Sequence, residues 1–139
     1  MAFVHGKSTV FKIDNSAGSL TDISAYCDSV DFPQVVETAE TTTFGDSAKD
    51  YVVGLKDATI SIAGKWDGAA GAVDVTLSGI LGLAASQTFE YGPQGGVSTN
   101  IKYTGECFCT SYQITGAVGD VVTFSAEFQV TGAVTRTTF

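Results

Sequence analysis

Cations are scarce in this 139-residue chain: seven Lys and Arg stand against fifteen Asp and Glu, for a net charge of −8. Sites that grip phosphate need clustered Lys and Arg, so tight nucleic-acid binding is not expected. Histidine occurs once, at His5. A Ser-His-Asp or Cys-His arrangement would have to recruit that near-terminal residue into the core. The three cysteines, Cys27, Cys107 and Cys109, are an odd count, and a zinc site would need His5 to complete it. They are expected to be reduced and to serve as small buried hydrophobes. No run approaches the roughly 20 apolar residues of a membrane span. The first residues also lack the apolar core and cleavage site of a secretory signal, so cytoplasmic synthesis without membrane insertion is expected.

The other candidates for chemistry are equally sparse. Pairs such as Glu37/Glu40, Asp46/Asp50 and Asp57/Asp67 have nothing that fixes the geometry of an acid–base couple or a calcium loop. The glycines of residues 92–96 are not followed by the Lys and helix of a phosphate loop. Trp66 is a conceivable sugar platform, but its place in an alternating strand favours core packing. No enzyme activity, cofactor or metal is expected. Charged residues make up only 16% of the chain, leaving a surface of Ser, Thr, Gly and Ala. Such a surface suits burial against neighbouring subunits.

What the chain does hold is strand signal. At 44% hydrophobic residues it is not disordered, and its length fits a single domain over residues 1–139. Residues 8–13 alternate, with Thr9, Phe11 and Ile13 on one side. Residues 20–26 resume after a turn cluster as the second arm of a hairpin. Residues 58–66 place Ile60, Ile62 and Trp66 opposite Thr59, Ser61, Ala63 and Lys65. Residues 88–91 and 101–114 read as further strands, with Gly105 and Ser111 as candidate points of bending and register change. The clearest pattern runs over residues 121–130, with Val122, Phe124, Ala126, Phe128 and Val130 facing one way, and it breaks at Gly132. Only residues 74–85 show helical spacing, through Leu77, Ile80, Leu81 and Ala84, with Asp74 able to accept amide hydrogen bonds at the helix start. Together these predict a mainly β fold: a two-sheet antiparallel sandwich or barrel with one α-helix and a long extended arm.

That arm spans residues 35–55. Its stretch ETAETTTF is rich in β-branched threonine yet offers a core only Ala39 and Phe44. Turn residues follow at 45–47 and 54–57, around a short strand at 51–53. An exposed edge of this kind would pair its amides with another copy of the chain. The candidate interface residues are Glu37, Thr38, Glu40, Thr41, Thr42, Thr43, Phe44, Asp46, Lys49, Asp50 and Tyr51.

The order of elements, and above all the stretch VETAETTTFGDSAKDYVVGLKDATISIAGKWDG at residues 36–68, resembles the tail tube proteins of long-tailed bacteriophages, especially the short single-domain ones. The resemblance covers essentially the whole chain and is concentrated in residues 37–68. It implies copies that form hexameric rings, inner sheets joined into a barrel around a channel, and rings stacked into a tube through which DNA is ejected. It implies the virion tail as location, and as partners the chain itself, a tape measure protein and tail-end proteins, with DNA passing unbound. By this analogy the neighbour-reaching loop falls on residues 35–55. The inner tube of type VI secretion is similar in architecture, without a special residue match. A channel that lets DNA slide should be neutral or acidic, and the polar face of Thr123, Ser125, Glu127 and Gln129 is the candidate lumen. The alternative is a monomeric binding module, either a capsid-decorating protein or a carbohydrate-binding sandwich using Trp66 or Tyr91. A hydrolase using paired carboxylates is a third and more distant reading.

Overall fold

The computed structural model describes residues 3–139, so the first two residues of the expected N-terminal lead lie outside the described residues. The strands are β1 (Val10–Asp14), β2 (Leu20–Asp22), β3 (Cys27–Asp31), β4 (Gln34–Glu40), β5 (Tyr51–Lys65), β6 (Gln87–Gly92), β7 (Ile101–Thr115) and β8 (Thr123–Thr138), with one helix, α1 (Val73–Ile80). The main sheet has the order β2-β1-β6-β7-β8-β5-β3, and β4 joins it off this path by pairing with β5. The mainly β architecture with one helix stands. The two faces expected of a sandwich are supplied by one antiparallel sheet that curls into a half-barrel.

The alternation read from the sequence builds the core directly, because side chains of one parity share one face of a pleated strand. Phe11 and Ile13 of β1, Ile60 and Ile62 of β5, Phe89 of β6, Cys107 and Cys109 of β7, and Phe124, Ala126 and Phe128 of β8 are buried together. Helix α1 closes this side with Val73, Leu77 and Ile80. Each large aliphatic side chain buried there contributes about 1.5–3 kcal/mol.

Several expected boundaries move, each for a local reason. Helix α1 ends at Ile80, short of residue 85, because Leu81 is extended and Gly82 takes a φ of +75°. The chain thereby reaches β7, where Leu81 bridges Cys109 and the Gly82 amide donates to the Cys109 carbonyl at 3.3 Å. Asp74 does not cap the helix, whose N-cap is Ala72. Its carboxylate instead accepts from the Tyr112 hydroxyl at 2.7 Å and the Trp66 indole at 3.2 Å, joining α1 to β7 and to the end of β5. Residues 54–57 do not turn: β5 runs through them and accommodates Gly54 and Leu55 opposite Glu37 as a bulge. Gly132, at φ +77°, bulges β8 without ending it. An extra residue at Thr110 shifts the β7 register so that Tyr112 pairs with Ala126 and Ile114 with Phe124, which turns both toward the helix side. Strand β2 is short, leaving Leu20 exposed while Ile23 is buried beyond it.

Candidate assembly surfaces

Strand β4 and the first half of β5 form a hairpin that leaves the main sheet. Val35 opposes Asp57, Val36 opposes Lys56, Ala39 opposes Val52, and Glu40 opposes Tyr51. One edge of the arm pairs within the chain, because residues 41–50 fold it back, while β4 pairs with no strand but β5 among the described residues and so keeps its outer edge open. The Thr41 amide donates to the Asp50 carbonyl at 2.8 Å, and the Asp50 amide to the Thr42 hydroxyl at 2.9 Å. The Thr43 amide donates to the Asp46 carboxylate at 2.7 Å, a short side-chain cap that fixes the tip. All eleven expected interface residues thus share one element. Glu37, Thr38 and Glu40 lie on β4, Thr41 to Asp50 form the tip, and Tyr51 opens β5.

Among the described residues nothing covers this element. Every residue of β4 and each of the first seven of β5 is exposed. Phe44 at the tip is fully exposed, Leu55 is 76% exposed and Val53 72%. Val35, Val36, Tyr51 and Val52 are exposed as well. The sequence shows residues 51–53 as a short apolar strand, but the candidate interface drawn from it includes only Phe44 and Tyr51 of these side chains and leaves out Val35, Val36, Val52, Val53 and Leu55. Val36 and Val53 fall on one face and Val35 and Val52 on the other, and the bulge breaks the alternation that would have grouped them. At the hairpin base a groove of about 340 Å³ lies between residues 34–36, residues 56–58 and Val130, Ala133 and Val134 of β8.

The second surface is the face of β3, β5, β8 and β7 turned away from the core. Register places Asp31, Ser61, Glu127 and Ser111 in one row across the four strands, and Ser29, Ala63, Ser125 and Gln113 in the next. Lys65, Thr123 and Thr115 follow, and the Lys65 ammonium is held by Asp28 at 2.9 Å. Gln129 turns its amide to Asp57 at 2.7 Å and to the Ala58 carbonyl at 3.1 Å. Thr123, Ser125, Glu127 and Gln129 do share this face, opposite the helix. It is lined by small hydroxyls, amides, the carboxylates of Asp31 and Glu127, and the exposed Lys65–Asp28 ion pair. Both of its lateral edges are open among the described residues. Strand β3 pairs only with β5, and β7 beyond Cys109 pairs only with β8.

The remaining chemistry-bearing groups are tied into the fold. His5 accepts from the Lys7 amide at 3.1 Å in a short turn. All three cysteines are unbridged. Burial pushes the Cys107 thiol up to about 12, with charge on Cys109 adding to it, and pushes Cys109 up to about 11. Trp66 packs against the core. Among the described residues no group of three His, Cys, Asp or Glu is placed to hold a metal.

No family model matches the chain, and no curated protein matches it. Solved structures do. A chain of the tail of an empty GTA particle, refined with C6 symmetry, matches over 97% of this chain and 99% of its own at a TM-score of 0.81 and 19% identity. The SPP1 tail tube matches over 99% of this chain and 80% of its own, at a TM-score of 0.77 and 12% identity. A chain of the sheath-tube complex of an extracellular contractile injection system covers 99% of this chain and 93% of its own, at 0.70 and 12% identity. The curled sheet, single helix and projecting hairpin are thus a fold found in phage-like particles and injection systems. The neighbours include the SPP1 tail tube, and the chain has the tail tube fold.

Proposed function

We propose that this chain is a structural subunit that assembles into hexameric rings, stacked as a hollow tail tube through which DNA leaves the particle. The observation that carries the reading is the hairpin: an ordered element with seven exposed large hydrophobics and no core of its own. Exposed apolar patches of that extent mark interaction sites. Its occurrence on a tail tube fold makes other copies the natural cover.

The open edges supply the lateral contact. β3 and β7 run in opposite directions in the sheet, and a rotation about a tube axis preserves strand direction. β3 of one copy would therefore meet residues 110–115 of the next in an antiparallel junction, joining the four-stranded faces into a continuous barrel. The face turned to the channel would be the one carrying Asp31, Ser61, Ser125, Glu127 and Gln129. Its hydroxyls and carboxylates repel or ignore phosphate, and Lys65 on this face is neutralised by Asp28, so DNA slides past without being held. A tape measure protein inside the channel and tail-end proteins at either end complete the expected partners, in a virion tail assembled in the host cytoplasm.

Negative-stain electron microscopy of the purified protein across a concentration series, with light scattering for the mass of unassembled species, tests the proposal. Hollow tubes or stacked rings are the expected result. A monomer at every concentration that binds a capsid or a glycan saturably would overturn it in favour of a binding module.

A further inference from the structure

The hairpin leaves the sheet at Phe32-Pro33. Strands β3 and β4 follow one register along β5: Asp31 opposes Ser61 and Gln34 opposes Ala58, so Phe32 and Pro33 stand opposite Ile60 and Thr59. By register the two strands could be one. Pro33 interrupts them, because its carbonyl accepts from the Thr59 amide at 3.2 Å and it has no amide to return. At the same level the other edge of β5 loses β8, whose pairing with it ends at Gln129 opposite Thr59. From Ala58 outward the hairpin is a two-stranded ribbon, and a ribbon without a third strand has little stability of its own.

Two side chains grip its root from opposite faces of the sheet. On the core face the half-buried Phe32 ring meets Phe89, Tyr91 and Tyr103 edge to face, with centroids 5.7, 6.0 and 5.8 Å away. On the other face the Gln129 amide donates to the Asp57 carboxylate at 2.7 Å and to the Ala58 carbonyl at 3.1 Å. Phe32 lies at the foot of the hairpin's first strand, and residues 57 and 58 at the foot of its second, so each strand has one clamp. Beside them the groove of about 340 Å³ leaves room for an unheld hairpin to swing toward Val130 and Val134. We infer that Phe32 and Gln129 are positioning residues that hold the hairpin at one fixed angle to the sheet. The angle is a property of the single copy. Its use rests on the self-assembly reading, in which an arm already aimed loses less conformational freedom when a neighbour takes it.

Spin labels on Ser47→Cys at the hairpin tip and Val75→Cys on α1, both exposed, report the distance between arm and body by pulsed electron paramagnetic resonance. Labelled copies are diluted in unlabelled protein so that only distances within one copy are read, and the wild-type chain controls for its own thiols. One narrow distance is expected with Phe32 and Gln129 in place. Phe32→Ala and Gln129→Ala should each broaden or move it at unchanged circular dichroism, and Phe32→Tyr should keep it. Gln129→Glu keeps the shape of the side chain, loses the amide donor beside Asp57, and should act as Gln129→Ala does; it serves also if Phe32→Ala fails to fold. A broad distance with both residues in place, or an unmoved narrow one in Gln129→Glu and Phe32→Ala, would overturn the inference. The same variants should lose tubes although every exposed side chain of the hairpin is retained. A wild-type protein that forms no tubes would remove the assembly reading, and the fixed angle would still stand or fall on the distances.

Discussion

At the scale of single residues, Asp74 shows how much of this fold hangs on one carboxylate. It receives the hydroxyl of Tyr112 and the indole of Trp66, which also lie within hydrogen-bond distance of each other at 3.2 Å. Burial, and then the bond to Asp74, hold the Tyr112 hydroxyl well above the usual tyrosine range. Asp74→Ala leaves the Tyr112 hydroxyl without its acceptor and the Trp66 indole with only the Tyr112 oxygen, and should destabilise the protein by about 1–3 kcal/mol in urea denaturation at neutral pH. The thiols give a second residue-scale prediction. Cys107 and Cys109 ionise near 9 when unfolded but only near 12 and 11 in the folded protein. Between pH 9 and those values the folded state holds protons that the unfolded state has lost, so stability falls as pH rises. The fall approaches about 1.4 kcal/mol per pH unit for each thiol, and it should shrink in a Cys107→Ala variant compared by denaturation at pH 8 and pH 10.

At the scale of elements, the strands that alternate cleanly were legible in the sequence and the irregular ones were not. Phe124, Ala126, Phe128 and Val130 announce their face because each neighbour of opposite parity is polar or small. The arm was legible at residues 35–55 through its composition, yet its shape was not. Gly54 and Leu55 look like the start of a turn, and only the register with β4 shows that they form a bulge inside a continuous strand. The helix end depended on a long-range bridge from Leu81 to Cys109, which no local spacing reports. The hairpin itself buries nothing on its own chain, so its removal should leave the domain intact. Replacing residues 37–55 with an Asn-Gly turn joins Val36 to Lys56, which already oppose each other. That variant should melt close to the wild-type temperature by circular dichroism and remain monomeric in light scattering, and tubes formed by it would sink the role assigned to the arm.

At the scale of the whole molecule, the candidate lumen was half readable. Thr123, Ser125, Glu127 and Gln129 were visible as one face of one strand. Their neighbours Asp31, Ser61 and Ser111 join them only through pairings between strands far apart in the sequence, together with the shift at Thr110. The assembled channel should be sensitive to the sign of its charge. Asp31→Lys/Glu127→Lys subunits should still polymerise, but their tubes should retain double-stranded DNA in co-sedimentation, with retention falling as salt rises. Unchanged behaviour would mean that this face does not line the channel.

The continuous course of β5 from the core into the hairpin has a mechanical consequence. Its inner half is clamped between β3 and β8, with seven register pairs on the β8 side alone, while its outer half is the handle by which a neighbour would hold the subunit. A pull on that handle along the strand loads the ladder in shear, all bonds together, and does not peel them open in turn. Under tension the joint between copies would part before the subunit unravels, so a stretched assembly would break into whole pieces that can join again.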